Sequence, residues 1–354
     1  MKEIRQSFRP SRNRMILLPV LVLAIVVLIS LCTGAYHLSM VEIGRTLYAQ
    51  LTSSSQSLTD EDSTAFFLLW NIRLPRVLMA ILVGSGLAVS GATIQTIFRN
   101  PLADPTLIGV SSGAMLFAVF FIVLQSYLPF VGEGFSKQLL LAAFAFGGGL
   151  LTTALVYRLS SNGRKTNIAT MLLAGIAITA LCGGLTGLLI YYADESQLRD
   201  ITFWNLGSLS GGSWSVIALI GTVTLLATFK ISSYSKELEI MQLGDQEATY
   251  LGVPIEHIKR KTIVLVCLIV GCSVAFTGLI GFVGLMVPHL VRLHVSKISF
   301  KQLIWLSSLV GSILLLLADT LARTIISPSE LPIGILTALM GSPFFLWLLI
   351  KNKY

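Results

Sequence analysis

An all-α protein that crosses a membrane many times is the fold class this sequence predicts, and three observations predict it. Of the 354 residues, 54% are hydrophobic and only 12% are charged, against about a quarter charged in an ordinary soluble domain. The apolar residues fall into runs of about 20, the length of helix that spans a bilayer core. None of these runs alternates as a barrel strand does. A long apolar segment in lipid must satisfy its backbone polar groups internally, so each run is read as a helix. The 30 glycines suit membrane helices that approach one another closely. Because the runs extend from end to end, residues 1–354 are expected to form a single transmembrane domain.

The first span, 15–34, follows a basic segment, 1–14, that carries Lys2, Arg5, Arg9, Arg12 and Arg14. A secretory signal peptide competes for this pair of features. The run is long for such a signal and further spans follow, so an uncleaved first span is expected. The remaining candidates are 74–98, 107–126, 138–158, 168–192, 213–230, 262–281, 284–296, 303–323 and 333–350. That makes about ten transmembrane helices, of which 284–296 is too short to cross alone.

The net charge of +8 does not form one basic stripe, as a nucleic-acid surface would, but sits between the apolar runs. With the N-terminus inside, nineteen of the 25 Lys and Arg residues fall on the cytoplasmic side. The outer side keeps Arg45, Arg73, Arg76, Lys137, Arg199 and Arg323. This bias places both termini in the cytoplasm and excludes a nucleic-acid role. Asp60–Asp62, Asp194, Glu195 and Asp200 are read as solvated outer-loop charge. Cys32, Cys182, Cys267 and Cys272 lie inside apolar runs without CxxC spacing and are expected to be small buried hydrophobes.

Three regions stand above this background. The first joins Arg73-Leu74-Pro75-Arg76 to Gly84, Gly86 and Gly91, then Arg99-Asn100-Pro101-Leu102-Ala103-Asp104-Pro105 and Gly109 to Ala114. The prolines break the helix, and Asn100 and Asp104 offer side chains to the freed backbone groups. Ser111 and Ser112 open the next run, where hydroxyls can bond back to the helix. The second region is the polar stretch 232–261, with Leu243-Gly244-Asp245-Gln246-Glu247-Ala248 and Leu251-Gly252. It reads as a short cytoplasmic helix with acids at its start and Gly252 at its end. The third runs from Gly278 through Pro288-His289 and Arg292 to Asp319, Arg323, Glu330-Leu331-Pro332 and Gly341-Ser342-Pro343. Asp319 and Arg323 stand four apart and can pair on a helix. Gly91 precedes Pro101 by ten residues and Gly278 precedes Pro288 by ten, a faint internal echo of the repeats found in transporters.

Taken in order from about Ile72 to Leu349, these blocks resemble the FecCD permease family, whose members move ferric siderophores, haem and vitamin B12. The resemblance implies the architecture of a type II ABC importer permease: a ten-helix subunit that homodimerises around a central pathway. It also implies two cytoplasmic ATPase subunits, and a periplasmic or lipid-anchored binding protein that delivers the substrate. The chain contains no GxxxxGK[ST] signature and no Gly-Lys dipeptide, so ATP and Mg belong to the partner and this chain is expected to bind no cofactor or metal of its own. By resemblance, Leu243, Gly244, Asp245, Glu247, Ala248 and Gly252 form the element that couples to the ATPase. Arg73, Arg76 and Arg323 match outward-facing arginines that pair with acids on the binding protein. Asn167, Ile168 and Ala169 lie where the family narrows its cytoplasmic gate. The segment Leu102 to Gly113 is closer to haem permeases than to the cobalamin branch, which ranks haem first, a ferric siderophore next and cobalamin third. His37, His257, His289 and His294 are read as structural rather than as haem ligands.

Two other classes are weighed against this one. An ion-coupled secondary transporter needs carboxylates near the midplane of its spans, and the runs contain almost none. A membrane enzyme needs a convergent cluster such as HExxH, which the sequence lacks.

Overall fold

Leu74–Ile97 is apolar on every face and rich in small residues, so it can be surrounded by other helices rather than by lipid. The computed structural model, which describes residues 12–34, 36, 38–51, 60–125, 135–162, 165–295 and 298–351, places it at the centre of the bundle. In chain order the helices are α1 (Arg12–Cys32), α2 (Met40–Leu51), α3 (Asp60–Phe67), α4 (Leu74–Ile97), α5 (Val110–Leu124) and α6 (Phe135–Ser160). They continue with α7 (Ile168–Tyr191), α8 (Glu195–Leu206), α9 (Trp214–Ser233), α10 (Ser235–Met241) and α11 (Asp245–Tyr250). The last four are α12 (Ile255–Thr277), α13 (Val283–His294), α14 (Phe300–Thr324) and α15 (Ile333–Lys351). The two-residue strands Ser161–Asn162 and Lys165–Thr166 pair antiparallel between α6 and α7.

Among the described residues, six helices are long and apolar enough to cross a membrane, and three shorter apolar helices accompany them. The central position of α4 is quantitative: 83% of the apolar window in Ser63–Ile97 is buried, against 17% in α7. Bare backbone makes this possible. A Cβ built on Gly84 would lie 2.4 Å from the Gly311 carbonyl oxygen of α14, and one on Gly91 1.7 Å from that of Gly284 in α13. α4 therefore touches both partners backbone to backbone, which only glycine permits.

Several expected boundaries shift for identifiable reasons. The helical path into α4 begins at Asp60 and passes through a π-helical segment, Leu68–Arg73, so Arg73 lies within a continuous helix with Arg76 rather than before it. α12 starts at Ile255, seven residues before the expected 262, because Ile255 and Ile258 are buried and extend its apolar face. α5 starts at Val110, after a 3-10 turn Pro105–Ile108 that ends on Gly109 at φ 83°. The expected breaks are made as anticipated: Asn100 Oδ1 accepts from Leu102 N–H at 2.9 Å and Asp104 Oδ1 from Thr106 N–H at 2.8 Å. Ser112 Oγ bonds back to the Gly109 carbonyl at 3.1 Å. The echo of Gly91–Pro101 in Gly278–Pro288 is not structural. Gly91 sits inside α4, whereas Gly278 caps α12 at φ 68°, and Pro288 lies within α13. All four cysteines are free, and three of them are buried.

Candidate functional site

The two ends of α4 carry separate polar assemblies. With 24 residues at 1.5 Å each, they stand about 36 Å apart.

At the N-terminal end of α4, Arg73, Arg76 and Arg323 come together from helices 250 positions apart in sequence. Asp319 is their hub and is wholly buried, at 0% exposure. It accepts from Arg76 Nε at 2.9 Å and from Arg323 Nε at 3.1 Å, the second pair being the four-residue spacing read from sequence. Arg76 Nη1 also donates to both oxygens of Glu330, at 2.7 and 2.9 Å. Arg323 donates to Ser30 Oγ at 2.8 Å, and Arg73 to the carbonyls of Leu31 and Tyr36. The arginines thus share one end of the bundle and line an open cleft of about 180 Å3. They do not project freely, however. Their exposures are 5, 7 and 8%, because guanidiniums packed among helix ends must be neutralised and hydrogen-bonded internally.

Just past the C-terminal end of α4, the chain turns at Arg99, whose φ of 50° is a left-handed conformation that costs a non-glycine residue some strain. This turn aims the Arg99 guanidinium at Asp245, the first residue of α11. The other Asp245 oxygen accepts from Lys259 Nζ at 2.7 Å, and Lys259 is 1% exposed. α11 is thereby tied to α4 and α12 by one carboxylate. Its far end closes with a Schellman motif: Val253 N–H bonds to the Ala248 carbonyl and Gly252 N–H to that of Thr249, both at 2.9 Å, with Gly252 at φ 80°. Gly244 precedes the helix at φ 139°, Glu247 lies in its first turn, and Ala248 is fully buried beneath it. Outward, α11 presents Gln246, Glu247, Thr249 and Tyr250, and large apolar side chains flank it: Leu243 before it is 67% exposed, Tyr250 at its last position 89% and Leu251 just after it 62%.

Asn167, Ile168 and Ala169 begin α7 at this same end. The Asn167 side chain caps the helix, accepting from Ala169 N–H at 2.9 Å and Thr170 N–H at 3.3 Å. Thr166 beside it donates to Glu256 of α12 at 2.7 Å. Between the two ends, α7 and α5 line an open cleft of about 710 Å3, walled by Ser112, Gly175, Thr179 and Gly183. That volume lies within the range of small-molecule sites.

A profile of the FecCD transport family matches residues 22–351. The chain belongs to the FecCD transport family. It is 41% identical over 331 residues to the hemin transport system permease of Yersinia pestis, covering 93% of this chain and 94% of that one. A vitamin B12 import system permease of Yersinia pseudotuberculosis is 39% identical over 289 residues, covering 80 and 82%. Among solved structures, an inward-facing metal-chelate type ABC transporter superposes with a TM-score of 0.81 at 33% identity, covering 96% of this chain and 99% of that one. This FecCD chain is accordingly a membrane-embedded ABC importer permease, a transport subunit whose family works with an ATPase and a substrate-binding protein.

The three arginines and the Leu243–Gly252 element are legible in the sequence, but of the partners that hold them only Asp319, four residues before Arg323, is. Arg99 and Glu330 belong to motifs that give them no partner, and Lys259 reads as one of the cytoplasmic cations. The signal for Lys259 was slight: it is the one member of Lys259-Arg260-Lys261 on the buried face of α12. Of the histidines, His257 is exposed and His294 Nδ1 lies 2.9 Å from the Leu290 carbonyl. His289 packs 6.0 Å from the Phe344 ring with neither ring nitrogen bonded to protein. His37 lies outside the described residues. Among the described residues, no group of three His, Cys, Asp or Glu is placed to hold a metal.

Proposed function

We propose that two copies of this chain, with two cytoplasmic ATPase subunits, form the pathway by which an iron chelate leaves a periplasmic or lipid-anchored binding protein and enters the cytoplasm. Haem is the first candidate cargo and a ferric siderophore the second. The observation that carries the coupling role is α11, a six-residue helix fixed at its start by Asp245 and at its end by Gly252, with exposed Leu243, Tyr250 and Leu251 at its two ends. A short helix held this firmly transmits a push to the spans that anchor it, α4 and α12, rather than absorbing it. The exposed side chains of Leu243, Tyr250 and Leu251 suit insertion into a groove of the ATPase.

In this scheme the chain crosses the inner membrane ten times with both termini in the cytoplasm. The arginine end faces the binding protein, and Asn167–Ala169 narrow the cytoplasmic exit. An acidic residue on the binding protein would reach Arg76 by displacing Glu330, whose side chain is 44% exposed, and not the buried Asp319. Haem is ranked first because similarity to the hemin permease of Yersinia pestis extends over 93% of the chain, against 80% for the vitamin B12 permease. The apolar cleft beside α7 suits a flat apolar chelate.

The test is reconstitution in liposomes with the ATPase and binding protein of the same importer, following uptake of haem, a ferric siderophore and cobalamin. Haem uptake above cobalamin is expected, and the reverse order overturns the cargo assignment. Tyr250→Ala with Leu251→Ala is expected to weaken ATPase association about tenfold or more. Lys259→Met is expected to leave ATP hydrolysis but lower transport per ATP, with Lys259→Arg restoring it. Full transport per ATP in Lys259→Met would refute the clamp.

A further inference from the structure

The cations on either side of the coupling segment converge in space. Lys230 lies in the last turn of α9, before residues 232–261, while His257, Arg260 and Lys261 lie in the first two turns of α12, near its end. With Tyr234, Val264 and Leu265 they line one open cavity of about 340 Å3. Lys230 Nζ stands 5.2 Å from the centre of the Tyr234 ring. Among the described residues, no ion pair joins Lys230, Arg260 or Lys261 to a carboxylate. Their neighbour Lys259, on the buried side of the same helix, is committed to Asp245.

The cavity changes character within one helical turn. Arg260 and Lys261 stand four residues before Val264 and Leu265, so each cation is stacked over an apolar side chain. On α9, Leu226 and Phe229 precede Lys230 and are 66 and 59% exposed, while Val264 on α12 is 50% exposed. A basic rim thus opens onto an apolar, outward-facing wall at the end of two membrane helices. A free anion would use only the rim. A phospholipid uses both, with its phosphate at the cations and its chains along the wall. The general excess of Lys and Arg at one side of a membrane protein accounts for cations here, but not for one cavity that gathers three of them, Lys230 over an aromatic ring, without carboxylate partners among the described residues.

We propose that this cavity binds the headgroup of an anionic phospholipid, its phosphate held by Lys230, Arg260 and Lys261. The bound lipid straps the end of α9 to the start of α12, and so fixes the base from which α10 and α11 project. The inference rests on the membrane embedding of the chain and is independent of its cargo.

The experiment is native mass spectrometry of the purified, delipidated permease–ATPase complex, titrated with phosphatidylglycerol and, in parallel, with phosphatidylcholine. The wild type should retain phosphatidylglycerol preferentially. Loss of one cation should weaken retention about fivefold, and the triple variant K230Q/R260Q/K261Q on the order of 100-fold. The charge-conserving K230R/R260K/K261R should retain the lipid. So should R158Q/K301Q, which removes two exposed cations at the same end but outside the cavity. Circular dichroism confirms that each variant is folded. Equal retention by the triple variant and the wild type overturns the proposal, as does the lack of any preference over phosphatidylcholine. Displacement of the lipid by inorganic phosphate at comparable concentration would show a plain anion site and overturn it equally.

Discussion

Asp319→Asn tests the internal arginine network most directly. The substitution keeps the side chain's shape and removes its charge. The wild-type carboxylate is at 0% exposure and receives two guanidinium hydrogen bonds, at 2.9 and 3.1 Å. Without it, Arg76 retains Glu330, but Arg323, 8% exposed, has only neutral oxygens left. Removing one partner of a buried ion pair costs roughly 3–5 kcal/mol, since the other charge stays desolvated. Glu330→Gln is the internal comparison. Its side chain is 44% exposed and Arg76 keeps Asp319, so solvent screening reduces the expected loss to about 1 kcal/mol or less. Removing both members of the α14 pair, in D319L/R323M, should recover more than half of the Asp319→Asn loss, because apolar groups replace the charges. Unfolding in mixed micelles titrated with SDS, followed by tryptophan fluorescence, measures all three. A loss below about 1 kcal/mol for Asp319→Asn, or one no larger than that of Glu330→Gln, would refute the assignment of Asp319 as hub.

Two further outcomes follow from local geometry. A Cβ at Gly91 would stand 1.7 Å from the Gly284 oxygen, where an ordinary C–O contact needs about 3.3 Å. α4 and α13 must therefore part, at a cost of roughly 1–3 kcal/mol. Gly284→Ala, whose Cβ meets the Leu87 oxygen at 3.0 Å, should cost less in the same titration; the opposite order would contradict the packing. At the start of α8, Asp194 accepts from Gln197 N–H at 2.8 Å and from the Ser196 hydroxyl at 2.7 Å, bonds that hold its pKa below the usual carboxylate value. Its capping contribution is complete above the ordinary value of about 3.9 and is lost as pH falls through the lower folded value. Protection of α8 amides, taken relative to their intrinsic exchange rate at each pH, should therefore fall at acid pH in the wild type, whereas Asp194→Ala should show weaker protection with no such step.

What was legible in the sequence follows from signals that are local. The start of α14 at Phe300 falls three residues from the expected 303, and the structure shows Ser299 and Gln302 making its capping box. Asp319 and Arg323 declare their pairing by spacing alone, and Gly252 its left-handed turn by identity. Asn100 and Asp104 could be expected to satisfy the broken backbone because their partners are two residues away. By contrast, Arg99 and Asp245 are 146 positions apart, and Arg76 and Glu330 are 254 apart. No periodicity joins such residues. The same limit explains the misread echo, since Gly91 and Gly278 share a spacing to proline but stand in unlike backbone conformations.

The sequence by itself determined that this is a helical membrane protein, where most of its long helices lie, and which short segments deserve functional attention. Hydropathy, caps and helix-breaking residues act within a turn or two, so they survive being read along a line. Only the tertiary structure decided which helix is central and which cations are free. α4 and α7 are almost equally apolar, with mean hydropathies of 2.0 and 2.1, yet one is enclosed and the other open. Lys259 is buried against Asp245 while Arg260 and Lys261 line an open cavity. Burial and charge pairing are properties of neighbours, and those neighbours are set by packing between distant helices.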